Sequence, residues 1–122
     1  MTVLGLVMPV VAPSTADDEL VASLRAGDRQ AVEQAYVAHH AAVRAFARRL
    51  VGDASTAEDL VHDTFVALPR AIRRFRGDAE LRSFLIGVAI NHARRHIRSA
   101  ARRRRATDRL AERTALAAPA PD

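Results

Sequence analysis

The chain has 122 residues and carries 19 basic residues against 14 acidic ones, a net charge of +5. Every basic residue is arginine, and the absence of cysteine excludes disulfides and thiolate metal sites. The positive charge is concentrated, because residues 94–113 hold nine arginines and two acids, whereas residues 1–93 hold ten arginines and eleven acids. A basic segment on a nearly neutral body favours a polyanionic partner, either a nucleic acid or an anionic membrane surface.

Both ends of the chain differ in composition from the middle. Residues 1–14 read MTVLGLVMPVVAPS, an apolar run without a basic start that contains two prolines and is too short to cross a bilayer. Residues 115–122 read ALAAPAPD, a composition typical of extended linkers. We therefore predict a disordered or apolar tail over 1–16, one folded domain over 17–105, and a linker or tail over 106–122.

Apolar residues between these ends recur every three or four positions, which is the period of an α-helix. Asp17 and Asp18 are expected to open a short helix that ends at Gly27. Asp28 is expected to cap a second helix that ends at Gly52. The apolar stripe of the second helix is predicted to comprise Val32, Tyr36, His39, Val43, Phe46 and Leu50.

Two further helices are predicted in the second half of the chain. Ser55 and Glu58 form an S-x-x-E pattern, which predicts a capping box at the start of the third helix. Pro69 is expected to kink that helix, and Asp78, which follows a turn at Gly77, is expected to cap the fourth. The apolar stripes of these helices are predicted to comprise Leu60, Val61, Phe65, Leu68, Ile72 and Phe75, and then Leu81, Phe84, Leu85, Val88, Ala89 and His92. The predicted fold is all-α, a compact bundle of three long helices and a short N-terminal one.

Three blocks in the second half resemble a known family when they are taken together and in order. They are A-E-D-L-V-x-D-T-F from Ala57, F-R-G-D-A from Phe75, and L-R-S-F-L followed by A-x-N-x-A-R, which ends at Arg94. This run resembles the second conserved region of extracytoplasmic-function sigma factors, the bacterial subunits that give RNA polymerase its promoter specificity. The resemblance extends over roughly residues 19–105.

The resemblance implies that the third helix binds the clamp helices of the largest subunit of core RNA polymerase. Carboxylates there would suit a basic partner surface, although acids in a first helical turn are also expected from the helix dipole alone. The family usually has Gln or Glu where this chain has His62. The implied polymerase-binding residues are Asp59, Leu60, His62, Asp63 and Phe65.

The resemblance also implies binding of the minus-ten promoter element on the non-template strand. In the family the loop after the third helix captures a flipped base, and an Asn on the fourth helix helps to read the promoter. Arg102 to Arg105 are expected to attract phosphates without regard to sequence. The implied DNA-binding residues are Arg73, Arg74, Arg76, Gly77, Asp78, Ala79, Arg82, Asn91, Arg94, Arg95 and Arg98.

The chain departs from the family in two respects. Phe84 and Ile86 occupy positions where the family commonly has a Trp and a second aromatic residue, so fewer rings are available for base stacking. In addition, no segment after Arg113 is long enough for the helix-turn-helix that normally reads the minus-thirty-five element. We therefore expect either a fragment or truncated form of a longer protein or a second region that acts alone, and a lone second region would bind polymerase but select promoters poorly.

Other functional classes were weighed against this one. His92 and His96 have a zinc-binding spacing but lack a third ligand, and no catalytic motif is present, so we expect neither an enzyme nor a metal or other cofactor. The main alternative is a helical interaction module that binds an anti-sigma factor or another protein through an apolar groove around Phe65 and Phe75, with a non-specific basic tail. In this alternative the tail only keeps the protein solvated or touches an anionic membrane, whereas the sigma factor interpretation predicts a cytoplasmic protein without membrane attachment.

Overall fold

The computed structural model describes residues 15–117, and within them the side chains of residues 17–116. Four helices fill this range: α1 (Thr15–Arg25), α2 (Arg29–Val51), α3 (Ala54–Ala71) and α4 (Leu81–Ala117), with a 3₁₀ turn (Ile72–Arg74) after α3. No strand occurs within residues 15–117, and the predicted all-α fold with three long helices and a short first one is confirmed. The predicted terminal tails lie outside the described residues over 1–14 and 118–122. Across the described helices, none combines the length and the hydropathy that crossing a membrane requires.

The ends of α2 follow the sequence prediction. The Asp28 carboxylate accepts a hydrogen bond from the backbone N–H of Gln30 at 2.9 Å, which satisfies one of the free donors of the first turn. At the other end Gly52 adopts φ 68°, and its N–H donates to the carbonyl of Arg48 at 3.0 Å. Glycine enters this left-handed conformation without strain, so it ends the helix as predicted.

The predicted capping box of α3 is wrong. The helix begins one residue before Ser55, and Asp53 is its cap: the Asp53 carboxylate accepts from both the N–H and the hydroxyl of Thr56, at 2.9 and 2.6 Å. These hydrogen bonds lower the pKa of Asp53. Glu58 instead accepts from Arg44 of α2 at 2.5 Å. Because Asp53 already accepts from the first turn of α3, Glu58 is free to bind Arg44 and so links α3 to α2.

The predicted cap of α4 is also wrong. The helix begins at Leu81, three residues after Asp78, so the Asp78 side chain is not at the cap position. The N–H of Leu81 donates to the carboxylate of Asp17 at 3.2 Å, and Asp17 lies on α1. The first donor of α4 is therefore satisfied by a different helix, across 64 positions of sequence.

The core is built on an alanine face of α2 that the periodicity did not predict. Among the residues expected in the stripe of α2, Tyr36 and Leu50 are exposed, whereas His39 and Val43 are buried. In an Ala-rich helix two adjacent faces are apolar, and the face with the smaller side chains lets neighbouring helices approach more closely. The buried alanines of α2 are Ala31, Ala35 and Ala47.

The predicted stripes of α3 and α4 form most of the remaining core. Every residue expected in the stripe of α3 is buried, from Leu60 to Phe75 in the following loop. In α4 Leu81, Leu85, Val88 and Ala89 are buried, while Phe84 and His92 are half-buried. Two of the three aromatic pairs in the described residues cross between elements, and in one of them Phe75 packs edge-on against Phe84 at 5.0 Å between ring centres.

The last helix extends well beyond the body of the bundle. Ala93 is its last buried residue, and all side chains over 102–116 are exposed. Residues 106–117, which the sequence analysis assigned to a linker or tail, are helical. At 1.5 Å per residue the 37 residues of α4 span roughly 55 Å, so its arginine-rich half projects away from the core.

Candidate nucleic-acid interface

An acidic face runs along the outside of α3. Asp59, His62 and Asp63 are exposed, as the sequence predicted. Val66 continues this face one turn further on and is 64% exposed. Spacings of four and seven residues place Asp59, Asp63 and Val66 on one side of the helix. The face therefore combines two carboxylates with an exposed apolar side chain.

Two of the predicted polymerase-binding residues are not available on this face. Leu60 is 2% exposed and packs against Ala47, Ala57 and Ala93, so it supports the helix from within. Phe65 is 6% exposed, and its ring contacts that of Tyr36 edge-on at 5.1 Å. The family resemblance implied both residues as apolar neighbours of the acidic residues, but their side chains pack in the core, and a partner could touch only the rim of Phe65.

A shallow groove of about 390 Å³ lies between α2 and α3, next to the acidic face. Tyr36 is held there by its contact with Phe65 and by stacking on His40, whose ring centre is 4.5 Å away. The groove gives the acidic face an apolar border. It is lined by Arg29, Val32, Glu33, Tyr36, His62, Phe65, Val66 and Pro69.

A second groove, of about 490 Å³, separates α3 from α4 and is basic. None of the residues that line it is acidic, and Val66 stands between this groove and the previous one. Arg70 and His92 belong to it although sequence reasoning did not include them. Arg70 lies one helical turn before Arg74, a spacing that places both on one side of the chain. The lining residues are Val66, Ala67, Arg70, Ala71, Arg74, Val88, Asn91, His92 and Arg95.

A pocket of about 400 Å³ adjoins the basic groove on the surface of α4. Arg74 and Asn91 line both cavities, so Asn91 lies on the ridge between them. The pocket adds Arg94, and Arg98 follows one turn later, where its Nε donates to the carbonyl of Arg94 at 3.5 Å. The remaining lining residues of the pocket are Phe84, Gly87, Val88 and Ile90. The structure thus brings Arg74, Asn91, Arg94 and Arg95 together.

Arg82 does not join this cluster. It precedes Asn91 by nine residues, which is two and a half helical turns, so the two side chains leave opposite sides of α4. On its own side Arg82 lies close enough to His39 of α2 to lower the pKa of that histidine. The sequence grouped Arg82 with Asn91 because both lie in one motif, but the helix separates them.

The loop between the 3₁₀ turn and α4 is exposed over Arg76, Gly77 and Asp78, and Ala79 is half-buried. Gly77 adopts φ 83°, a conformation in which an L-residue is strained, so glycine is needed for this reversal. Arg73, in the preceding 3₁₀ turn, is also exposed. These side chains are all accessible to a ligand.

Both ends of this loop are held by α1. The guanidinium of Arg25 donates to the carbonyl of Phe75, where the loop begins. The carboxylate of Asp17 accepts from the N–H of Leu81, where the loop ends. Sequence reasoning missed both residues, because their partners lie 50 and 64 positions away and no local pattern marks them. We call this pair of contacts the α1 brace.

His39 lies buried beside the brace. It is 8% exposed, and its Nδ1 has no hydrogen-bond partner. Burial lowers the pKa of His39, and the positive charge of Arg82 adds to this effect, while Asp17 and Glu80 act in the opposite direction. The neutral imidazole is therefore the favoured form in the folded protein.

The protein is thus a helical domain with two neighbouring surfaces. One is the acidic face of α3 with its apolar border, and the other is the basic groove and pocket around the Asn91 amide. A family model described as sigma-70 region 2 matches residues 35–103 of the chain. The chain belongs to this family of sigma factor domains. No solved structure matches the chain significantly.

Two curated relatives agree with this assignment. The RNA polymerase sigma-H factor of Pseudomonas aeruginosa is 31% identical over 96 residues, which cover 79% of this chain and 50% of that protein. The ECF RNA polymerase sigma factor SigM of Mycobacterium tuberculosis is 33% identical over 75 residues, which cover 62% of this chain and 38% of that protein. The chain spans half or less of the length of these relatives.

Proposed function

We propose that this chain acts in transcription initiation, joining core RNA polymerase to promoter DNA through two neighbouring surfaces. The observation that carries the proposal is the arrangement around Asn91, where four arginines and one amide line two adjoining cavities without a single carboxylate. The four arginines are Arg70, Arg74, Arg94 and Arg95. In this role the chain binds its partners and needs no catalytic step or cofactor. The proposed location is the cytoplasm, where the polymerase is found.

The polymerase-binding surface is proposed to be the acidic face of α3 with its apolar border. Asp59 and Asp63 give electrostatic complementarity to a basic surface, which sets orientation and association rate. Val66 adds apolar area that is exposed in the free chain, and burying such area supplies affinity. The clamp helices of the largest polymerase subunit are the proposed partner.

The DNA-binding surface is proposed to comprise the basic groove, the adjoining pocket and the loop over 76–79. Arginines on this surface contact phosphates, whereas the Asn91 amide can donate to and accept from a base edge. The proposed ligand is the non-template strand of the minus-ten element, because the bases of a single strand present their edges and faces to such cavities. Arg82 is left out, since it faces the other side of α4.

The basic half of α4 fits a role in general DNA attraction. Its side chains are exposed from residue 102 onward, and Arg102 to Arg105 form its densest charge. Membrane binding, in contrast, would need an apolar stripe opposite the charges. The exposed apolar residues of this half are Ile97, Leu110 and Leu116. Their spacings of 13 and 6 residues point them in different directions around the helix, so they form no stripe.

The proposal is tested by separating the two surfaces with single substitutions. Asp63→Arg reverses a charge on the polymerase-binding surface, so it should weaken association with core polymerase while leaving single-strand binding intact. Asn91→Ala should retain polymerase association and weaken promoter opening. Both residues are exposed, so neither substitution should unfold the domain. If the wild-type chain neither associates with core polymerase nor binds single strands at low salt, the proposal is wrong.

A further inference from the structure

Gly87 has no structural reason to be glycine. It lies inside α4, whereas the described glycines that need a positive φ are Gly27, Gly52 and Gly77. A Cβ atom built at Gly87 meets nothing within 4 Å, so no close helix packing requires its absence. Glycine in a helix interior is also less stable than alanine. The residue therefore lowers helix stability without any compensation within the folded chain.

What Gly87 does provide is open space on the surface of α4. It lines the pocket of about 400 Å³ next to the basic groove. Phe84 lies three residues before it, and Ile90 and Asn91 lie three and four residues after it, so these side chains surround the bare backbone on one side of the helix. Arg74 of the 3₁₀ turn and Arg94, which follows Gly87 by two turns of α4, also line the pocket.

The walls of the pocket match the chemistry of a nucleobase. Phe84 supplies an aromatic wall, and its ring is fixed by the edge-on contact with Phe75. The Asn91 amide offers a donor and an acceptor to a base edge, while Arg74 and Arg94 supply positive charge for the adjoining phosphates. A planar base can lie against a surface only where no side chain projects from it. The backbone at Gly87 provides such a surface, because glycine has no side chain.

We propose that the absence of a side chain at Gly87 creates a pocket that takes one unstacked base of single-stranded DNA. The inference rests on the proposed function, because it assigns a base to a position on the same DNA-binding surface. It is distinct from the loop at Gly77, which lies outside the lining of this pocket. The base lies against the α4 backbone between Phe84 and Asn91, with its phosphates toward Arg74 and Arg94.

Substitutions at Gly87 separate binding from stability. Gly87→Leu fills the floor of the pocket, and Gly87→Ala partly fills it. Since a side chain there meets open space and alanine favours the helix, Gly87→Ala should raise the melting temperature by a few degrees. A change that stabilises the fold and weakens DNA binding cannot act through unfolding. Ala45→Leu, an exposed position on α2, is the matched control for adding an apolar side chain.

The test compares two fluorescent single strands of twelve nucleotides, one with mixed bases and one with only the abasic sugar-phosphate backbone. Binding of the full 122-residue chain is measured at low salt by fluorescence anisotropy. The wild type and Ala45→Leu should prefer the strand with bases. Gly87→Leu should bind that strand roughly tenfold less tightly, in line with the loss of one stacked base, and should keep its affinity for the abasic strand.

The inference is overturned if Gly87→Leu keeps the wild-type preference for bases, or if the wild type binds both strands equally or binds neither. It is also overturned if Gly87→Leu weakens binding to both strands alike, because phosphate contacts would then be the cause. Association of the wild type with core polymerase is measured separately. That measurement tests the proposed function and does not depend on Gly87. The proposed function and the base-binding pocket can therefore be refuted separately.

Discussion

The α1 brace leads to a prediction about the loop over 76–79, which we propose belongs to the DNA-binding surface. Replacing Asp17 and Arg25 by alanine removes the hydrogen bonds to Leu81 and Phe75, so both ends of the loop lose a contact with α1 and keep only the core packing of these two buried side chains. We expect the loop to move away from its bound position and single-strand binding to weaken. Polymerase association should be unaffected, because the acidic face belongs to α3. The two α1 residues of the brace, Asp17 and Arg25, precede residue 35, where the family match begins.

The size of the effect follows from the two hydrogen bonds. Both are partly buried and involve a charged side chain, and such bonds contribute about 1.5–3 kcal/mol each. With the low value for each, because water can still reach both groups, the brace contributes about 3 kcal/mol. This lowers the ratio of docked to displaced loop roughly 150-fold. Because affinity scales with the fraction of docked loop, the loss of strand binding for the double variant cannot exceed roughly 150-fold, and it is roughly tenfold when the wild-type loop is docked about fifteen times more often than displaced.

The amide of Leu81 reports the brace directly. NMR-detected hydrogen exchange should show faster exchange of this amide in Asp17→Ala, since its acceptor is gone. Asp18→Ala is the matched control, because Asp18 is the exposed neighbour with the same charge. Unchanged protection of Leu81 in Asp17→Ala, or equal loss in both variants, would refute the reasoning.

Three further predictions concern other surfaces. Val66→Arg should weaken polymerase association roughly tenfold, which is a change of about 1.4 kcal/mol, because it places charge and bulk on the exposed apolar part of the acidic face. Replacing Arg102 to Arg105 by glutamine should reduce the slope of log affinity for a single strand against log salt by at most about 3, since each phosphate contact contributes about 0.7. Stability should fall on acidification below pH 6.5, because the pKa of His39 is lowered in the folded state and the unfolded chain therefore binds more protons. Urea unfolding at pH 7.5 and 5.5 should show a smaller loss for His39→Gln.

Each of these predictions has its own control. Val37→Arg changes another exposed valine, on α2, and should leave polymerase association unchanged; equal losses would show that added charge alone is responsible. An unchanged salt slope would mean that the arginines of the projecting helix contact no phosphates. If His39→Gln and the wild type lost the same stability on acidification, the proton uptake would belong to other groups. The carboxylates of Asp53 and Glu58, whose pKa values are lowered by hydrogen bonding, act only in a more acidic range.

The sequence predicted the elements of this fold well where local chemistry determines them. The helical period, the Asp28 cap and the glycine stops are local, and each is present. The buried stripe of α3 was also predicted, because large apolar residues occupy only one of its faces. In α2 alanines surround the larger residues, so periodicity alone could not distinguish the close-packed face.

The features that sequence reasoning missed depend on contacts between distant segments. The start of α4 is determined by Asp17, and Asp17 comes next to Leu81 only in the folded chain. Arg70 and His92 join the basic groove because α3 and α4 pack side by side. The grouping of Arg82 with Asn91 is a different error, because their spacing of nine residues along one helix is enough to place them on opposite sides. The open space at Gly87 is likewise visible only in three dimensions.

The central claim is that the acidic face of α3 binds core RNA polymerase, and one measurement tests it most directly. The purified chain is mixed with core polymerase and passed through a size-exclusion column, with wild type and Asp63→Arg run in parallel. The account predicts that the wild type elutes with the polymerase and that Asp63→Arg elutes alone as a folded protein. Elution of the wild type apart from the polymerase, or co-elution of both forms, would contradict it.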